Sequence, residues 1–159
     1  TGKETMTGGR IKYIKDFIEE GETFCLTYGD GLADIDINKL IESHYQSEKL
    51  VTLTAVQPVG RFGFIDIGEN NNVNAFVEKP IGDGGWRNGG FFVVNQKAIE
   101  YIDNKDTIWE KEPLQNLSND CQLNAYRHNG FWQPMDTLRD KNHLEQLWNS
   151  GKAPWKVWE

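Results

Sequence analysis

Residues 23–31 read Thr23-Phe24-Cys25-Leu26-Thr27-Tyr28-Gly29-Asp30-Gly31. Six apolar, aromatic or β-branched side chains in succession predict a buried strand, and Gly29-Asp30-Gly31 ends it sharply. Two glycines around an aspartate let the backbone turn tightly and leave space for a bulky group, while the carboxylate projects from the strand tip. The flanks decide the fold. Upstream, Ile11, Ile14, Phe17 and Ile18 recur at helical spacing, which predicts an amphipathic helix over 10–20 ended by Gly21. Downstream, Asp36 is placed to cap a helix with Ile37, Leu40 and Ile41 on one face and Tyr45 continuing it. LVTLTAV over 50–56 is a second buried strand. Strands separated by helices favour an α/β fold with a parallel, doubly wound sheet. In such sheets ligands lie beyond the carboxyl ends of the strands, so the loop after Tyr28 is the first place to look.

Further along, the pattern changes. Residues 62–67 and 73–78 flank Gly68-Glu69-Asn70-Asn71-Asn72, predicting an antiparallel hairpin. A Gly-rich loop over 82–85 leads into a strand over 89–95. Helices are expected near 96–103 and 107–118, a strand over 122–127, and a last helix over 135–150 stopped by Gly151. The tail carries Trp155 and Trp158. No repeat or low-complexity tract interrupts this series.

The chain has 159 residues, within the roughly 100–200 of one domain, and residues 1–159 are expected to form one. That length buries a core without a disulfide or zinc. Apolar residues at 38% and charged residues at 26% describe a globular chain. Twenty-four acids against 17 bases give a net charge of −7, which excludes nucleic acid as a partner for want of a basic stripe. No apolar run approaches the roughly 20 residues of a membrane span, so no membrane is expected. No signal segment is recognisable at Thr1. Cys25 and Cys121 show no metal-ligand spacing and read as reduced, buried thiols, which points to the cytoplasm.

The residues that bear chemistry each admit two readings. Asp30 at the strand tip suits Mg²⁺, which takes one or two carboxylates plus substrate phosphates, or it stabilises its own turn. Asp136 in Gln133-Pro134-Met135-Asp136-Thr137 is either a second such carboxylate or a helix cap. Glu78 and Lys79 point to opposite faces of a strand end. They suit sugar hydroxyls and a phosphate, or form a solvated pair before Pro80. Asn88-Gly89-Gly90 offers an amide and bare backbone to a sugar, or a plain turn. Thr7-Gly8-Gly9-Arg10 sets amides and an Arg at a helix start, where anions bind, though Gly-Gly-Arg is a weak motif. Trp132 is the aromatic expected to line a pocket. Asp34, beyond the turn, reads as a turn residue, and His44, His128 and His143 stand isolated. There is no Gly-x-Ser-x-Gly elbow and no complete dinucleotide fingerprint, since Arg87 occupies the third glycine position after Gly82-Asp83-Gly84.

Taken together, several segments resemble the sugar-nucleotide pyrophosphorylases, and in particular the cytidylyltransferase branch of that family. They are TMTGGR (5–10), TYGDGLADIDI (27–37), GRFG (60–63), EKPIGDG (78–84), NGGFFV (88–93), IDN (102–104), WEKEPL (109–114), GFWQPMDTLRDK (130–141) and GKAPWKVWE (151–159). The resemblance spans essentially the whole chain and matches the family's C-terminal two-thirds. It implies a Rossmann-like nucleotide-diphospho-sugar transferase fold, with a mixed, mostly parallel sheet flanked by helices and bearing a β-hairpin. It further implies the reaction CTP + glucose 1-phosphate → CDP-glucose + pyrophosphate with Mg²⁺, feeding dideoxysugars of surface polysaccharides such as O-antigen, in a homo-oligomer.

By position, Asp30 and Asp136 match the family's two metal-binding aspartates, and with Lys79 they are the expected catalytic residues. Glu78 and Lys79 match the pair that contacts the sugar phosphate, and Asn88 a sugar-contacting asparagine. Gly8, Arg10, Thr27, Tyr28, Gly29, Gly89 and Trp132 fall in segments lining the nucleotide and sugar pocket. The family's N-terminal Gly-rich loop, with its Arg and Lys, has no counterpart in 1–159. The chain is therefore expected to be inactive alone and to act within a complete enzyme. Three other readings remain: a uridylyl- or thymidylyltransferase, a non-catalytic sugar-phosphate-binding fragment, and an aspartate-nucleophile phosphatase. The last wants two aspartates one residue apart, and Tyr28 and Leu32 stand where the second would be.

Overall fold

The computed structural model describes residues 1–58, 60, 63–78, 81 and 85–158. Its largest sheet is mixed and joins β1 (Thr23–Thr27), β3 (Val51–Val56), β6 (Arg87–Asn95) and β7 (Leu123–His128) in the order β1-β6-β3-β7. Strand β1 runs antiparallel to β6, with Thr23 opposite Asn95 and Thr27 opposite Phe91. The strand β3 lies inside the sheet and buries every side chain except the half-buried Leu53. That position explains its unbroken apolar and β-branched run.

The chain divides into two compact units, one of residues 1–28, 36–54 and 90–126, the other of 29–35, 55–89 and 127–159. The core of the first is Ile11, Val51, Phe92, Val94, Ala98, Ile99, Ile102, Trp109 and Leu117. Phe92 meets Tyr28 and Trp109 edge-on, at centroid distances of 5.6 and 6.2 Å. Helix α2 (Ile37–Ser47) starts as expected, with Asp36 Oδ1 accepting the Lys39 amide at 3.1 Å, and stops at the left-handed Glu48.

The expected helix over 10–20 is instead α1 (Thr7–Tyr13) followed by a 3₁₀ turn, Lys15–Phe17. Ile14 leaves helical geometry and its amide turns back to Ile11, so Phe17, counted into the apolar face, is 87% exposed. The segment after β6 is a 3₁₀ helix, Gln96–Tyr101, capped by Asn95. Helix α3 (Glu112–Asn119) starts late because Pro113 fits only a first turn. The thiols are free but not buried. Cys25 is exposed on β1, the last strand of its sheet, and Cys121 is exposed in a left-handed turn after α3.

The second unit contains the expected hairpin, β4 (Phe64–Ile67) against β5 (Val73–Val77), with Ile65 opposite Phe76. The left-handed Asn70 and Asn71 stand in its turn, a conformation asparagine tolerates well. It also contains a ribbon the sequence did not announce. Here β2 (Gly31–Ala33) pairs antiparallel with β8 (Trp132–Pro134). Helix α4 (Leu138–Asn149) begins at a capping box between Thr137 and Asp140, and ends beside Gly151 at φ 70°. Trp155 is buried against Phe131, whereas Trp158 is exposed beside Trp148. Among the described residues no helix is long and apolar enough to cross a membrane.

Candidate active site

In the second unit the site is organised by the β2–β8 ribbon. Gly31 stands opposite Pro134, and one step further the Met135 amide donates to the Asp30 carbonyl at 2.9 Å. Antiparallel pairing thus brings the residue before β2 and the residues after β8 to one end of the ribbon. Asp30 and Asp136 both stand there, and both are exposed. Gly29 has open space where a β-carbon would be. Among the described residues no group of three or more His, Cys, Asp or Glu gathers as a metal cage. Two exposed carboxylates at one end of the ribbon fit Mg²⁺, which is seldom held by protein alone.

Toward the other end of the ribbon, Asp34 takes its place through its amide, which donates to the Phe131 carbonyl at 3.2 Å. His128 Nε2 lies 3.1 Å from that same carbonyl and 3.0 Å from Asp34 Oδ1. Oδ1 is buried without a well-angled hydrogen bond, so Phe131 is the partner and Asp34 is an electrostatic neighbour. Gln133 Nε2 donates to Asp140 Oδ1 at 3.2 Å, tying β8 to the capping residue of α4. Trp132 is half-buried, and its Nε1–H donates to the buried Gly89 carbonyl at 2.8 Å. Asn88 and Gly89 occupy the start of β6, and Glu78 is exposed just after β5. Lys79 lies outside the described residues.

The first unit carries the other expected residues. Gly8 and Gly9 are buried, and both amides donate to the Thr107 carbonyl, at 3.0 and 3.3 Å. Those amides are engaged, so the anion-binding reading of this turn gives way to packing. A β-carbon on Gly8 would stand 2.8 Å from Thr107 O. Arg10 is exposed and donates to Thr1 Oγ1 at 2.7 Å. Thr27 ends β1, and its hydroxyl meets the Tyr28 carbonyl at 3.1 Å. The Tyr28 amide donates to Gly90 O at 3.0 Å, and its hydroxyl donates to Glu110. Sequence reasoning missed the bond from Tyr28 to Glu110, although WEKEPL was singled out, and it missed the approach of His128 to Asp34. Neither leaves a local signal, because each brings together residues far apart in the chain.

The nucleotidyl transferase family model matches residues 3–137. The chain belongs to that family. It is 54% identical over its full 159 residues to the glucose-1-phosphate cytidylyltransferase of Salmonella typhi, covering 62% of that protein. It is 43% identical over 159 residues to the probable glucose-1-phosphate cytidylyltransferase of Bacillus subtilis, covering 99% of this chain and 61% of that one. The chain thus spans a little under two-thirds of these relatives' length. A crystal structure of a putative glucose-1-phosphate thymidylyltransferase from Bacillus anthracis superposes with a TM-score of 0.66 at 16% identity, covering 96% of this chain and 63% of that one. That likeness establishes the fold alone. Both the family read from the segments and the fold class that followed are borne out.

Proposed function

We propose that the chain is part of an enzyme that transfers CMP from CTP to glucose 1-phosphate, releasing pyrophosphate and CDP-glucose. The observation that carries this reading is the common end of the β2–β8 ribbon reached by Asp30 and Asp136, in a chain whose relatives are named cytidylyltransferases. In the reaction a phosphate oxygen of glucose 1-phosphate attacks the α-phosphorus of CTP, and the bond to pyrophosphate breaks. Such a transfer asks little covalent chemistry of a protein and depends on positioning and charge.

Asp30 and Asp136 would hold Mg²⁺, which when bound neutralises charge on the phosphates. Lys79 binds the attacking phosphate, and Glu78 and Asn88 orient the glucose hydroxyls. Trp132 fixes Gly89 through its N–H, so the backbone there keeps its place. Arg10, Thr27 and Tyr28 of the first unit and Gly29 of the second are the further residues that this reading assigns to the nucleotide and sugar. Self-association and a cytoplasmic setting belong to the same reading.

The test is pyrophosphate release by the complete enzyme from glucose 1-phosphate with CTP, UTP or dTTP, with the product weighed by mass spectrometry. CDP-glucose from CTP alone supports the reading. A preference for UTP or dTTP replaces it with another branch, and binding of glucose 1-phosphate without turnover replaces it with a binding module. Light scattering over a concentration series checks the oligomer.

A further inference from the structure

Glu110 has no part in the machinery assigned above, yet its carboxylate joins two of that machinery's segments. One oxygen accepts the Tyr28 hydroxyl, and the other accepts the Thr7 hydroxyl at 2.7 Å. The Thr7 oxygen in turn accepts the Trp109 amide at 3.0 Å, so that hydroxyl has its proton and its lone pair both directed. Hydroxyl-to-carboxylate bonds of this kind are roughly twice as strong as neutral ones. Tyr28 is also held at its ring. Gly90 adopts φ +78°, and a β-carbon there would stand 2.6 Å from Tyr28 Cδ2, so the ring lies against bare backbone. With the ring fixed by Gly90 and by the edge of Phe92, Glu110 sets the direction of the phenolic O–H.

We propose that Glu110 is a positioning residue. A single carboxylate fixes both the Tyr28 hydroxyl, next to Gly29-Asp30 in the chain, and the Thr7 turn that carries Arg10. The inference rests on the cytidylyltransferase reading and adds to it the residue that keeps two substrate-lining segments in one arrangement. The chemistry explains why a carboxylate is needed. Glutamine offers one acceptor and one amide donor. Its NH₂ would face either the Tyr28 proton or the Thr7 oxygen, which already accepts from Trp109 and would be left with a proton to place.

The test uses the complete enzyme and the variants Glu110→Gln, Tyr28→Phe, the pair together, Thr7→Val and Thr7→Ser. Loss of one charge-assisted hydrogen bond corresponds to about a 10-fold fall in kcat/KM for glucose 1-phosphate. Glu110→Gln and Tyr28→Phe should each show such a fall with the melting temperature little changed. The double variant should be no worse than the poorer single one, because the two act through one bond. Thr7→Val should fall in the same way, and Thr7→Ser, which keeps the hydroxyl, should recover. Additive losses, or losses that track a falling melting temperature, overturn the inference. Calorimetry with glucose 1-phosphate distinguishes failure of the functional reading from failure of the role given to Glu110. Wild-type protein that neither binds nor turns over the sugar phosphate overturns the functional reading and this inference with it. An active wild type with indifferent variants overturns this inference alone.

Discussion

A β-carbon on Gly130 would stand 2.4 Å from Oδ1 of Asp34 and 2.7 Å from Cε1 of His128. The His128 side chain is 9% exposed, and the carboxylate oxygen beside it is buried, so neither can swing away freely. Gly130→Ala should therefore lower unfolding free energy by roughly 1–3 kcal/mol, the usual cost of forcing atoms into a packed place. Denaturant titration measures it, and a variant as stable as wild type would contradict the packing described.

Asp30→Asn and Asp136→Asn remove one carboxylate each from the shared end of the ribbon. In the complete enzyme each should cut kcat by about 100-fold or more, since charge stabilisation is usually the largest catalytic contribution. Each should also raise the Mg²⁺ concentration needed for half-maximal rate. Loss of rate in both with an unaltered Mg²⁺ requirement would assign the aspartates another role.

Trp132→Phe keeps a ring but loses the N–H that meets Gly89 O. Because Gly89 is buried, its carbonyl is left without that donor, at a cost of about 1–3 kcal/mol. Thermal unfolding should register the loss, whereas Trp158→Phe, an exposed position, should leave the midpoint nearly unchanged.

His44 is 3% exposed, with Nδ1 3.1 Å from Thr52 Oγ1, and burial holds its pKa below the ordinary value. The folded state thus favours the neutral ring. Its contribution is complete above about pH 6.5, the unfolded value, and is lost as pH falls through the lower folded one. The melting temperature should drop on acidification from pH 7.5 to 5.5. His44→Asn, which does not titrate, should flatten that drop, and parallel profiles for the two proteins would place the titrating group elsewhere.

What could be read from the residues alone was whatever a local pattern specifies. The run ending at Tyr28, the Asp36 cap and the asparagine turn after Ile67 each carry their own instruction and each appears where expected, although the strand expected to be buried is instead half-buried to exposed, because it lies at the edge of its sheet. The β2–β8 ribbon does not. Its strands are three residues each and include Gly31 and Pro134, types that weaken strand propensity, so only pairing between distant segments creates it. The spacing of Ile14, Phe17 and Ile18 imitates a helix face that the chain abandons at Ile14. Asp30 and Asp136 stood out as candidates, but the hydrogen bond from the Met135 amide to Asp30 that brings their segments together did not. Glu110 was invisible for the same reason, and Lys79 falls outside the described residues.

Gly9 sets a rule of inheritance for this chain. A β-carbon there would stand 2.3 Å from the Lys105 carbonyl oxygen and 2.6 Å from Lys105 Cα, both backbone atoms that no change of side chain can move. The Thr7–Arg10 turn and the loop around Lys105 are consequently a single heritable block. A lineage can exchange the Lys105 side chain at will, yet it can replace Gly9 only if the distant loop shifts in the same step. Recombination that takes one of the two segments from a relative whose loop is of another length should fail, while exchange of both together should succeed.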